Sequence, residues 1–262
     1  MYYHQKLIIS GIHWEHYKYE KSLKRDFKRK KKEKIEVEHQ QMIIDDIIKT
    51  EVEIVVAEYK KRVKRKDSMS RTRTQIRRGI NSNPDLIKFV TLTFEENILD
   101  VERANKHFNK FIMRLEYRFP DLKYFSVIEF QKERGKKNGD DGAVHYHFLC
   151  NLPYIKNKLL GEIWGLGHVK INKIKNVDNV GAYVCGYMQE EMTDPRLFNK
   201  KKYFYSKNIE KSTTIFDSEI IQKMFSEFGL NYVKPDFKGE FSNEFVGKVK
   251  YYSYKLNNTK KE

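Results

Sequence analysis

Residues 143–150 read AVHYHFLC, and the rest of the chain is parsed from them. Apart from its two histidines the stretch is apolar or aromatic, and a polar, glycine-containing loop (132–142) precedes it. That is the pattern of a buried strand. Side chains two apart on a strand point the same way, about 6.5–7 Å apart. His145 and His147 therefore share one face, while Val144, Tyr146 and Phe148 fill a core on the other.

Before the loop, LKYFSVIEFQ (122–131) reads as a second strand and an antiparallel neighbour of the first. Upstream, IKFVTLTF (87–94) is a third strand, with Val90, Leu92 and Phe94 on one face and Phe89, Thr91 and Thr93 on the other. Between them, residues 100–119 repeat apolar side chains at helical spacing behind Asp100, a suitable N-cap, and Pro120 stops the helix. Downstream come a short helix at LLGEIWG, a strand over 167–174 and a helix over 177–192. This order predicts an α+β fold: a central antiparallel sheet flanked by helices. Trp164 belongs to the apolar face of its short helix, and Cys150 and Cys185 sit in apolar segments as reduced core thiols.

Glu129 places a charge in an otherwise apolar strand, which is costly unless something neutralises it. A cation shared with His145 and His147 would do so. Two imidazoles and a carboxylate suit Mg²⁺, Mn²⁺ or another divalent first-row ion and leave positions open for substrate oxygens. Gln131 shares the face of Glu129 and is the second choice for the third ligand. An H-x-H pair alone is equally a polar surface feature; the carboxylate on the adjacent strand is what points to a metal. On the helix over 177–192, Tyr183 and Tyr187 are four residues apart and Glu190 and Glu191 continue their face. A tyrosine hydroxyl can attack a metal-bound phosphodiester when a base takes its proton.

The whole chain carries 52 Lys and Arg against 36 Asp and Glu, a net charge of +16. A polyanion is the expected partner, nucleic acid first. No apolar run is long enough to span a bilayer and no signal-peptide order opens the chain, so a soluble, cytoplasmic protein with no membrane role is expected. The first 80 residues hold 22 Lys and Arg against 12 Asp and Glu, a net of +10. Their basic runs, 21–34 and 71–78, flank an amphipathic helical pattern from Ile43 to Tyr59. Three regions are expected: a basic helical region over 1–82 for duplex DNA, a catalytic domain over 83–211, and a C-terminal region over 212–262 of unassigned role. No phosphate-binding G-x-x-x-x-G-K-[ST] motif is present.

FVTLTF, IEF followed by HYHFL, and VGAYVCGYM, in that order, resemble the three motifs of the HUH endonuclease superfamily. More narrowly they resemble replication initiators of small rolling-circle plasmids of Gram-positive bacteria and related mobile elements; KKYFYSKNIEK (201–211) resembles a stretch following the tyrosine helix in such proteins. The resemblance covers about residues 70–211. It implies His145 and His147 as the metal pair and Glu129 as third ligand. It implies Tyr187 or Tyr183 as the nucleophile that nicks one DNA strand, keeping the 5′-phosphate and freeing a 3′-hydroxyl. The expected partners are single-stranded DNA at the nick, duplex origin DNA and a host helicase, with a divalent metal and no ATP. Related tyrosine helices often carry a lysine three residues after the tyrosine. Here Gly186 and Glu190 stand at those offsets, so Tyr187 is favoured and Glu190 becomes a candidate base for releasing the product. A conjugative relaxase or single-strand transposase shares this chemistry, and a DNA-binding regulator without nicking activity is the alternative from another class.

Overall fold

The computed structural model describes residues 2–24, 68–131, 142–174, 179–186, 194–198, 200, 201 and 203–256. The chain divides into two compact units. One gathers Met1–Leu7, His16–Thr72 and Ile215–Tyr252; the other gathers Ile8–Glu15, Arg73–Thr214 and Ser253–Glu262.

The first unit is built on strands β1 (Tyr2–Ser10), β2 (His13–Lys24), β8 (Thr213–Ile215), β9 (Phe237–Asn243) and β10 (Gly247–Lys255), ordered β8-β1-β2-β10-β9. A helix over Ser218–Glu227, capped by Asp217, buries Ile221 and Phe225. Phe225 packs 4.9 Å from His16, whose Nε2 is 2.8 Å from Gln5 Oε1. The helical region expected over 1–82 is thus corrected for residues 2–24, which pair as strands. The alternating Tyr2 to Ile8 pattern satisfies its backbone in a ladder instead of a helix. The amphipathic pattern from Ile43 to Tyr59 lies outside the described residues.

The second unit holds the sheet expected from AVHYHFLC. Its strands are β3 (Lys88–Thr93), β4 (Tyr124–Gln131), β5 (Ala143–Cys150), β6 (Val169–Lys173) and β7 (Tyr203–Tyr205). Their order is β6-β3-β5-β4-β7, with every neighbouring pair antiparallel. β5 is central and buried along its whole length. On one face, Val90, Leu92, Phe94, Tyr146, Phe148, Ile128 and Phe130 form the core with α2 (Val101–Arg118) and α3 (Asn157–Trp164). Tyr146 stacks on Phe108 of α2 at 4.4 Å and 10°, and its hydroxyl donates to Asn105 Oδ1 at 2.6 Å. Asp100 caps α2, its carboxylate accepting from Glu102 N at 2.8 Å. Trp164 is fully buried and donates Nε1 to Thr93 O at 3.1 Å, so it is a core residue. Cys150 and Cys185 are both unbridged and buried, and burial pushes both thiols above their ordinary range. No described helix is long and apolar enough to cross a membrane.

Helix α1 (residues 68–81) belongs to the opposite face. It buries Ile76 and Ile80, and Gly79 comes so near the Phe125 ring that a β-carbon there would lie 2.5 Å from it. Two arginines of the basic run 71–78 are used inside the unit. Arg77 and Arg78 both pair with the buried Glu15 carboxylate, at 2.7 Å and 2.5 Å. A buried carboxylate needs such partners, so part of the run's charge serves the fold.

Candidate functional site

Register decides which side chains meet on the α1 face. In β3 to β5, Thr93 stands opposite His145, Thr91 opposite His147 and Phe89 opposite Leu149. In β5 to β4, His145 stands opposite Glu129 and His147 opposite Val127. Directly opposed residues share a face, so Thr91, Thr93, His145, His147, Glu129 and Gln131 line one surface.

The three expected metal ligands are thereby brought together on adjacent strands. His147 Nε2 donates to Glu129 Oε2 in a short contact. Burial raises the Glu129 carboxyl, but the hydrogen bond from His147 and the charges of His147 and His145 outweigh it and hold the carboxyl below its ordinary value. Both histidines are buried, at 4% and 7% exposure, while the Glu129 side chain stays 29% exposed. An ion pair that opens to solvent on the carboxylate side lets a ligand approach from there.

His147 is oriented by two neighbours. Thr91 Oγ1 lies 3.3 Å from Nδ1, and with Nε2 donating to Glu129 a neutral ring accepts the Thr91 hydroxyl. Phe89 stacks on the imidazole at 5.1 Å and 18°. Thr91 and Phe89 were absent from the expected site residues, although alternation already set them on that face; the signal that selects them is strand register.

Among the described residues no three His, Cys, Asp or Glu side chains stand together as a ready metal centre. Where a cation would lie between imidazole and carboxylate, a proton joins His147 to Glu129. The donor chemistry still fits a hard divalent ion: two imidazoles, one carboxylate, and the carbonyl oxygen of Gln131, which is buried without a hydrogen-bond partner among the described residues. Release of the His147–Glu129 hydrogen bond is the adjustment that binding requires.

Helix α4 (Val180–Gly186) brings Tyr183 to the same surface. Its Gly181 packs on α1, with Gly181 N donating to Asn81 Oδ1 at 3.1 Å and no room for a β-carbon, which would lie 2.5 Å from Arg77 O. One turn on, Cys185 Sγ donates to Arg73 O at 3.3 Å. With those two residues turned to α1, Tyr183 sets its ring edge on Phe89 at 6.2 Å and 65° and stays 44% exposed. Tyr183, Phe89 and His147 therefore make successive contacts. Tyr187, Glu190 and Glu191 lie outside the described residues, as does most of the loop between β4 and β5.

Residues 87–192 match the family model of the replication-associated protein ORF2. The matched segment runs from β3 through the tyrosine helix and contains Phe89, Thr91, Glu129, His145, His147 and Tyr183. The match supports a replication-associated role. No curated protein and no solved structure matches the chain significantly.

Proposed function

We propose that this chain is a replication initiator of rolling-circle type, which nicks and rejoins one DNA strand through a tyrosine ester. The observation that carries the reading is the convergence of Glu129, His145 and His147 on paired strands with Tyr183 one ring away, inside the segment that matches a replication family. A divalent cation, Mn²⁺ or Mg²⁺, held by His145, His147 and Glu129 would polarise the scissile phosphate and favour attack on it.

The protein's own groups do the rest. Thr91 and Phe89 hold the His147 ring in the orientation its partner needs. The tyrosine helix, seated on α1 through Gly181 and Cys185, presents the nucleophile. The phenolic oxygen of Tyr187 or Tyr183 forms a bond to phosphorus, the bond from phosphorus to O3′ breaks, and the leaving oxygen ends as a 3′-hydroxyl carrying the proton. The reverse attack by that hydroxyl, or by another, rejoins the strand. Glu190 is assigned as the base that frees the phosphotyrosine product. Duplex origin DNA and a separate helicase are the partners of the reading, and the remaining basic residues of 1–82 are assigned to duplex phosphates.

The test is a covalent one. The protein is incubated with Mn²⁺ and single-stranded DNA from the element's own origin, and a denaturation-resistant adduct is sought. Adduct formation that disappears when Tyr183 and Tyr187 are both changed to Phe supports the proposal. An adduct that survives the double change defeats it. Salt-sensitive binding with no adduct at all makes the chain a DNA-binding regulator.

A further inference from the structure

Three aromatic rings stand in a row on the sheet face that carries Glu129, His145 and His147. Phe125 and Tyr205 oppose each other across the β4 to β7 ladder, with rings 5.4 Å apart and 25° from parallel. Tyr203, two residues along β7, stacks on Tyr205 at 5.8 Å and 18°. The row starts where Phe125 is buried against Gly79 of α1. It ends at Tyr203, opposite Val127 and so two residues short of Glu129 along β4. With about 3.3 Å per residue along a strand and about 4.8 Å between strands, the Tyr203 and Glu129 backbones lie roughly 8 Å apart.

Core packing accounts for Phe125. It does not account for the tyrosines, which lie on the edge strand of the sheet, Tyr205 with 40% of its surface exposed. Lys201 adds a cation beside them, its Nζ 4.9 Å from the Phe204 ring centre and 6.0 Å from that of Tyr205. The Tyr203 hydroxyl donates to Gln75 Oε1 at 3.3 Å, which fixes the ring by its rim and not by its face. The Asn83 side chain anchors the following stretch, Nδ2 donating to Glu210 O at 2.9 Å and Oδ1 accepting from Glu210 N at 3.0 Å. Parallel, anchored rings with an adjacent ammonium match a ligand that alternates flat π faces with negative charge. Single-stranded nucleic acid has that chemistry, and base stacking on aromatic side chains tolerates any sequence.

We propose that Tyr203 and Tyr205, with Lys201, form a stacking platform for the bases of a DNA single strand that runs from the Glu129 end of β4 to the β7 edge. This rests on the reading that the site takes a single strand. The platform holds the nucleotides flanking the nick, so that the strand stays aligned while the ester forms and reverses.

Two probes of equal charge separate stacking from phosphate attraction: an oligothymidine of about 15 nucleotides and an abasic strand of the same length, each bound to the full chain without metal and followed by fluorescence anisotropy. The wild-type protein is expected to prefer the oligothymidine about fivefold or more. Tyr203→Ala and Tyr205→Ala are each expected to cut that preference about fivefold while leaving abasic affinity within about twofold, and Tyr205→Phe to preserve it. A preference unchanged in both alanine variants overturns the platform. So does an equal loss on both probes, which marks a structural defect. Adduct formation with origin DNA is measured on the same wild-type preparation. An intact adduct with an unchanged preference overturns the platform alone; no adduct and no binding overturns the nicking reading with it.

Discussion

Glu129 stands directly opposite His145 in the β4 to β5 ladder, yet its carboxylate crosses diagonally to accept a hydrogen bond from His147. One carboxylate therefore addresses both imidazoles, by position the first and by contact the second. That geometry requires the central strand and its neighbour to keep their register, since a one-residue slip would turn Glu129 to the α2 side.

Removing any of the three donors is expected to abolish adduct formation while leaving the fold intact. His145→Ala, His147→Ala and Glu129→Ala should each lower the rate at least about a hundredfold, and a chelator should do the same to the unaltered protein. Titration with Mn²⁺ should show binding lost in parallel. Normal nicking by Glu129→Ala would transfer the third position to Gln131, whose oxygen is buried on the same face.

Thr91→Val removes the hydroxyl that meets His147 Nδ1 and keeps the β-branched shape. Metal affinity is expected to fall about tenfold or more, as for other residues that orient a ligand. Thr91→Ser should restore most of it. Thermal unfolding should shift little, because a strand tolerates Val as well as Thr.

Gly181→Ala should destabilise the protein by about 1–3 kcal/mol, although alanine is the better helix former. Its β-carbon would meet Arg77 O at 2.5 Å and Asn81 Oδ1 at 2.7 Å. The clash pushes α4 off α1 and carries Tyr183 with it, so adduct formation should drop as well. Gly161→Ala, where no atom lies within 4 Å of the added carbon, is the control and should stabilise by up to about 1 kcal/mol. Thermal melts of the two variants check both signs.

His16 gives a pH test of the first unit. Burial, with Lys18 adding to it, lowers the imidazole from its ordinary value near 6.5 to about 4. The unfolded chain therefore binds a proton that the native protein refuses between those values. Stability should fall as pH drops from 6.5 toward 4, by on the order of 3 kcal/mol from this group. Denaturant unfolding of His16→Gln should show a shallower fall over the same window.

The strands and helices of the second unit were legible because each is long enough to express its period. IKFVTLTF, LKYFSVIEFQ and AVHYHFLC alternate cleanly, and the helix starting at Asp100 carries its cap and its apolar stripe in the sequence. The pairing of β4 with β5 followed from the glycine-containing loop that joins them. The first sheet was not legible in the same way. It pairs β1 and β2 with β8, β9 and β10, contacts separated by about two hundred residues that no local period announces.

Sequence alone determined the chemistry of this protein: which side chains can bind a metal, which share a face, and which tyrosines ride one helix. Those follow from repeats of two and of three to four residues, which are properties of the backbone itself. Tertiary structure decided which of them touch. Thr91 meets His147 because of register, Tyr183 reaches Phe89 because Gly181 lets α4 settle on α1, and Arg77 and Arg78 turn to Glu15 because a buried carboxylate must be paired. Such contacts depend on packing between distant segments, where the energy of one residue is set by a partner the local sequence does not name.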